Sequence, residues 1–331
     1  MNLKKIGLTA LAGSLVATSV YAGELAVSGS ASMKVVHVNG SAANAGKSFS
    51  MGNSVTFSGG GELDNGMTVA VSFELDQGAA DGTQTANQLT SDGGVFDSHS
   101  VTVSSDALGA LTFAGHGGSS AQSAIDTTAA GDLWDSTFIT AANATMKPKA
   151  SATSNNMLSY TLPSLVDGVA VSASYTPTGS TSQSSTAYSI AYTGVEGLAV
   201  HYAKGADDST VGATVDVDTI KATYAYGPVT VGYSMTEYDS ENVGTSEDQE
   251  VESFNVSYTV SDNISISYGS ETISEPNDTS DQDIEVDGIK VSYTTGGMTI
   301  SGAMIDAENT AMGTATTEDK QHWNLAASFA F

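Results

Sequence analysis

From Gly23 to Phe331 the chain repeats one theme: about eight to twelve residues with apolar side chains at every second position, then a break rich in Gly, Asp, Asn, Ser or Pro. Side chains alternate across a strand, so such a segment has one greasy face and one polar face. MTVAVSFEL puts Met67, Val69, Val71, Phe73 and Leu75 on one side and Thr68, Ala70, Ser72 and Glu74 on the other. The split recurs at Val169, Val171, Ala173 and Tyr175, at Val229, Val231, Tyr233 and Met235, and at Phe254, Val256, Tyr258 and Val260. The opposite faces are mostly Ser, Thr, Ala and Gly. A soluble sandwich carries bulkier buried residues and more charge on its wet face. Small polar residues against modest apolar ones suit a sheet with lipid outside and water inside.

The breaks alternate in length. Short turns fall at Asp64-Asn65-Gly66, Asp106 to Gly109, Ser164 to Gly168, Val195-Glu196-Gly197, Gly227-Pro228, Ser261-Asp262-Asn263 and Thr295-Gly296-Gly297. Gly and Asn supply the positive backbone angles that tight hairpins require. Between them lie long polar segments near residues 39–47, 77–97, 117–154, 177–185, 204–215, 239–250, 272–284 and 306–320. Interleaving the two sets predicts an all-β, closed antiparallel transmembrane β-barrel of about sixteen strands, with short periplasmic turns and long extracellular loops. Ten residues at a tilt near 45° rise about 23 Å, close to the apolar band of such barrels.

The first residues, MNLKKIGLTALAGSLVATSVYA, place Lys4 and Lys5 before an apolar stretch and end in a small-residue cleavage pattern. Met1 to Ala22 is therefore expected to be a signal peptide, and residues 23–331 a single barrel. No later stretch reaches the roughly 18 apolar residues of a spanning helix. With no cysteine in the chain, disulfides and thiolate metal sites are excluded.

Acidic residues outnumber basic ones 37 to 10, every basic residue is lysine, and arginine is absent. Such a chain lacks the cations that neutralise nucleic-acid phosphates, so no nucleic-acid partner is expected. The five histidines, at 37, 99, 116, 201 and 322, show no metal-ligand spacing, and no Gly-x-Ser-x-Gly elbow or phosphate-cradling loop is present. Neither an enzyme nor a cofactor is expected. The acidic run Asp278 to Asp287 offers oxygen ligands to Ca²⁺, but without the spacing of a dedicated site.

The chain ends in HWNLAASFAF, where Trp323, Leu325, Ala327, Phe329 and Phe331 share a face. With this terminal strand the whole chain from Gly23 resembles the Gram-negative general porins, whose last strand ends in phenylalanine and is read by the barrel-assembly machinery. The resemblance implies an outer-membrane channel for small hydrophilic solutes and ions, a homotrimer surrounded by outer-membrane lipid, and an assembly signal in Trp323, Leu325, Phe329 and Phe331. It also implies that the third long loop, residues 117–154, folds inward and constricts the pore. Asp126, Asp132 and Asp135 are then the acids on that loop. The family opposes such acids with an arginine cluster on the wall, which this chain cannot supply.

Strand parity instead points Lys34, Lys221 and Lys290 inward, with His116 at the inner end of the fifth strand and Glu62 and Glu74 adding negative charge. Acids on the loop with few bases opposite predict a cation-selective pore. The alternatives are a secreted or surface-attached structural or adhesin protein, built as a solenoid or tandem sandwiches, and a substrate-specific channel with an aromatic or charged lumenal track.

Overall fold

The structure is a computed structural model and describes residues 25–39, 46–77, 96–123, 125, 127–134, 155–177, 184–210, 213–240, 248–275, 283–310 and 319–331. The expected leader, Met1 to Ala22, lies outside these residues. In chain order the strands are β1 (Ala26–Asn39), β2 (Gly46–Glu62), β3 (Thr68–Gln77), β4 (Ser98–Ser105), β5 (Gly109–His116), β6 (Met157–Thr161), β7 (Val169–Thr176), β8 (Ser185–Tyr192), β9 (Leu198–Thr210), β10 (Ala213–Tyr226), β11 (Val229–Ser240), β12 (Gln249–Ser261), β13 (Ile264–Ser274), β14 (Ile284–Thr295), β15 (Met298–Glu308) and β16 (Lys320–Ala330). Each pairs antiparallel with its sequence neighbours, and β1 pairs with β16 to close the barrel. Closure leaves no sheet edge, which a bilayer would not tolerate. No helix among the described residues is long and apolar enough to cross a membrane.

The expected turns fall where the sequence places them. Gly109, at φ +78°, sits in a conformation that glycine adopts freely, at the start of β5. One long break does not survive. Residues 204–215 were expected to form a polar loop, but β9 continues to Thr210 and β10 begins at Ala213. Asp, Thr and Gly there look like loop composition, yet above the lipid a paired strand can carry polar residues on its outer face.

The same explanation accounts for an asymmetry in wall height. Strands β9 and β10 have 13 and 14 residues, β1 and β2 have 14 and 17, whereas β4, β5, β7 and β8 have 8 each and β6 only 5. Fourteen residues at a 45° tilt rise about 33 Å, beyond the roughly 25 Å apolar band. At the loop ends of the tall strands the alternation accordingly changes character. Tyr202, Tyr233 and Tyr268 mark the change on the outside: their hydroxyls donate to Asp218 (2.6 Å), Glu252 (2.7 Å) and Asp287 (2.6 Å), each on the next strand. Beyond them the outer face carries Asp216, Glu237, Asp239, Glu250, Glu285, Asp306 and Glu308. Lys204, also outward, bonds Asp218 at 2.7 Å.

Inside, the same strand ends carry aliphatics. Val251, Ile273, Ile284, Val286, Ile305 and Ala307 form a buried cluster with Ala130, Leu133 and Trp134 of the third long loop. The lumenal face expected to be mostly small and polar departs from that pattern here, because on this side the strand ends pack with the loop into an apolar core. Burying side chains of that size stabilises by about 1.5–3 kcal/mol each.

At the seam, Phe331 exchanges backbone hydrogen bonds with Gly29, at 2.8 and 3.0 Å. A side chain at position 29 would collide with the Phe331 ring, whose Cε2 lies 2.5 Å from the place a Cβ would take. Leu325, Phe329 and Phe331 face outward at 53, 37 and 73 % exposure, and Trp323 packs on His37 with ring centroids 5.6 Å apart.

Candidate functional site

The loop after β5 turns into the barrel and crosses the inner wall from β7 to β14. Its backbone is received by side chains that form one row in the sheet register, in which Lys221 pairs with Ser234, Ser234 with Ser253, and Ser253 with Glu271. Along that row Lys221 Nζ donates to the carbonyls of Thr127 (2.8 Å) and Thr128 (3.3 Å). Ser234 Oγ accepts from Ala129 N–H (2.8 Å), and Ser253 Oγ from Ala130 N–H (2.9 Å). The Glu271 carboxylate accepts from Leu133 N–H and Trp134 N–H, both at 2.9 Å, and from the Thr128 hydroxyl. One strand further on, Lys290 Nζ donates to the carbonyls of Ala130 (3.0 Å) and Gly131 (3.2 Å). Earlier in the loop, Ala121 N–H donates to Ser174 Oγ on β7 (2.9 Å) and Gln122 Nε2 to the Val217 carbonyl on β10 (3.0 Å).

Beside this row lies a second one. Gly232, Asn255, Gly269 and Gly288 are consecutive cross-strand partners. A Cβ on Gly269 would stand 2.6 Å from Ala130 Cβ, and one on Gly288 would stand 2.9 Å from Leu133 Cδ2. The glycines make room for the loop while their neighbours in the strands bind it, so Gly and Ser in these strands are the bed of the loop. Glu271 is 1 % exposed, and its charge is matched by three donors and by Lys290 alongside. Burial of a carboxylate on those terms is tolerable, whereas burial without them is not.

The structure sorts the expected pore residues. Asp126 and Asp135 fall outside the described residues. Asp132 is described, at φ +49°, and its carboxylate accepts from Thr128 N–H (2.8 Å) while its own N–H donates to Thr128 Oγ1 (2.8 Å). It closes the turn at the tip of the loop, a role Asp performs well because it tolerates the left-handed region. Lys221 and Lys290 face inward as expected, but as clamps on loop carbonyls rather than as a wall opposing the loop.

Lys34 faces inward on β1, between its direct partners Ser50 and Ala326. Glu74 faces inward on β3, and Ser98 Oγ donates to it at 3.0 Å. Glu62 is the last residue of β2, exposed at the short-turn rim, so it does not belong to a mid-height constriction. His116 is corrected too: a register shift between His99 and Ser100 sets it opposite the outward His99, and its ring bonds the Asp97 carbonyl.

The net charge of −27 does not describe the lumen. On the described strands most carboxylates stand on the outer face of the tall strands, while Lys34, Lys221, Lys290 and Lys320 face inward with Glu62, Glu74, Asp76 and Glu271. Among the described strand residues the inward charges are therefore balanced. Away from the loop its wall is lined by hydroxyls, many bonded in cross-strand pairs: Ser30 with Ser54 at 3.0 Å, Thr102 with Thr112 at 2.8 Å, Thr161 with Ser172 at 3.1 Å. Among the described residues no group of three or more His, Asp or Glu is placed to hold a metal ion. Glu285 and Asp287 of the acidic run lie on the outer face of β14, and residues 278–282 lie outside the described set.

Sequence reasoning missed Glu271, Ser174, Ser234, Ser253, Gln122 and Trp134. Strand parity could have singled out Glu271, an acid on a lumenal face otherwise made of Ser, Gly and Ile. Nothing in the loop sequence announces which of its backbone groups will be bound.

A family model described as Gram-negative porin matches residues 7–331. Among curated proteins nothing matches. Among solved structures, an anion-selective porin from Comamonas acidovorans superposes with a TM-score of 0.71 at 15 % identity, covering 93 % of this chain and 100 % of its own. OmpT, an outer membrane protein of Vibrio cholerae in its trimer form, gives 0.68 at 15 % identity, covering 94 % and 100 %. A mutant of the Rh. blastica porin gives 0.65 at 14 % identity, covering 93 % and 100 %. At such identities the likeness speaks for the fold.

Proposed function

The chain belongs to the Gram-negative porin family, and from that premise we propose that it is a general diffusion channel, mildly cation-selective, in which a fixed loop narrows the passage. Family and closed barrel together make it an outer-membrane porin channel, and they displace the solenoid and sandwich alternatives. The observation that carries the diffusion reading is the one-sided attachment of the loop. Its described residues rest against β7–β14, and none of their hydrogen bonds reaches the hydroxyl-lined inner wall of β1–β4. Hydroxyls exchange hydrogen bonds with water and polar solutes at little net cost, so transport along such a wall needs no energy source.

The cation preference rests on the excess of acids over lysines and on the carboxylates at the loop ends of the tall strands. Because those carboxylates stand at the rim and not among the balanced inward charges, their field is screened over about 8 Å at physiological salt. Reversal potentials in planar bilayers test this. The cation-to-anion permeability ratio is expected to exceed one at low salt and to fall toward one as salt rises; a preference for chloride throughout contradicts it.

A homotrimer is proposed by analogy with the OmpT structure, whose description specifies a trimer form. The terminal Phe331 and its outward neighbours Trp323, Leu325 and Phe329 are proposed as the signal for the barrel-assembly machinery. Removal of Phe331 is expected to lower the yield of inserted, heat-modifiable barrel.

A further inference from the structure

Every strand pairing but one joins neighbours in the sequence, so a turn or loop of chain also ties the two strands together. The seam between β1 and β16 is held by its own pairing alone. It runs in register from Asn39 and Gln321 to Ser30 and Ala330, and its last rung on the short-turn side is the pair of hydrogen bonds between Gly29 and Phe331. At the same level Ala330 N–H donates to the Gly297 carbonyl in the short turn between β14 and β15, at 2.7 Å. An opened seam would present two unpaired sheet edges to the bilayer, and paired strands fray from their ends.

At this rung nothing in the backbone requires glycine. Gly29 lies inside β1, and its φ is outside the left-handed region. A side chain there would instead meet the ring of Phe331, whose Cε2 stands 2.5 Å and Cζ 2.7 Å from the place of a Cβ, with the Ser54 carbonyl oxygen at 3.0 Å. Glycine within a strand marks such a close approach, and an aromatic ring laid over a bare glycine supports the strand that glycine weakens. The ring lies on the outer face of β1, over the gap that glycine leaves, and its remaining surface is exposed toward lipid.

We propose that the Phe331 ring, seated on Gly29, is the latch that keeps the barrel seam shut. This role belongs to the folded barrel, is separate from any reading of Phe331 during assembly, and does not depend on what passes through the channel. Peeling β16 from β1 on the short-turn side must first lift the ring off Gly29, so the weakest-tied pairing of the barrel is fastened at the end where it would begin to open. The latch needs both members. A ring without the gap collides, and a gap without the ring leaves bare backbone in a strand.

The test uses the full barrel refolded in detergent, away from any assembly machinery, and reads the temperature at which it loses its heat-modifiable fold. G29A and F331A should each lower that midpoint by about 2–8 °C. In the F331A background G29A should have less than half of its wild-type effect, because only the Ser54 carbonyl still crowds the added methyl group. Should F331A not refold, F331L, which keeps an apolar side chain without the flat ring, takes its place. Where the effect acts is read from S30C/A330C. Ser30 and Ala330 are cross-strand partners next to the hydrogen-bonded rung, a position where Cα atoms are about 4.5 Å apart and a disulfide can form. The chain has no other cysteine. With that disulfide formed, F331A should no longer lower the midpoint, and after reduction it should again. An equal effect of G29A with and without the ring, or a loss in F331A that the disulfide leaves unchanged, overturns the proposal.

Discussion

Two inner surfaces of this barrel are built from the same small residues and do opposite things. On β10–β14 a register row of Lys221, Ser234, Ser253 and Glu271, with Lys290 beside it, binds the loop, and Gly269 and Gly288 in the neighbouring row make room for it. On β1–β5 serines and threonines bond each other across strands, and no described loop residue hydrogen-bonds to their side chains. What separates them is not polarity but geometry. A hydroxyl or carboxylate presented in one register row, with glycines in the neighbouring row, captures a peptide backbone; hydroxyls facing one another across strands satisfy themselves. In this barrel the placement of a few residues on one wall fixes where the described part of the loop lies.

The contrast is most easily broken at Glu271. In E271A, the N–H groups of Leu133 and Trp134 lose their acceptor and Lys290 loses a compensating charge, at a cost of about 3–5 kcal/mol. The midpoint of heat modifiability should fall, and single-channel conductance should become larger or noisier as the loop leaves the wall. E271Q keeps one acceptor oxygen and should lose about 1–3 kcal/mol.

Next comes W134A. Trp134 is 1 % exposed in the lumenal core, so truncation should cost about 3–5 kcal/mol in thermal or denaturant unfolding while the Glu271 bonds remain. Conductance should change less than in E271A, which separates packing from tethering.

G269V tests the glycine row. Its side chain would displace Ala130, and overpacking should cost about 1–3 kcal/mol and widen the distribution of conductances. At the other extreme, T102V on the open wall removes one member of a hydroxyl pair beside water and should alter stability by no more than about 0.5 kcal/mol, with conductance unchanged. An effect of T102V as large as that of G269V would erase the distinction between the walls.

The barrel was legible in the sequence because its cause is periodic. Alternation, turn chemistry and loop length each repeat many times, so errors such as the misplaced break at 204–215 leave the strand number intact. The site was legible only in outline. Parity placed Lys34, Lys221 and Lys290 on the inner face, but parity cannot say whether an inward lysine meets water or a loop carbonyl. Net charge misled for a related reason: it sums acids that the strands turn outward, above the tyrosines, with those that face the passage. His116 was misassigned by a single register shift, because one extra residue in a strand reverses the face of everything beyond it.

The central claim, that one wall is covered by the loop and the other is open, can be tested directly because the chain contains no cysteine. Single cysteines at Ser72 on the open wall and at Ser253 beneath the loop should be exposed to a charged thiosulfonate reagent while single-channel current is recorded. The account predicts rapid stepwise block at position 72 and little or no reaction at position 253. Equal rates of modification at the two positions would contradict it.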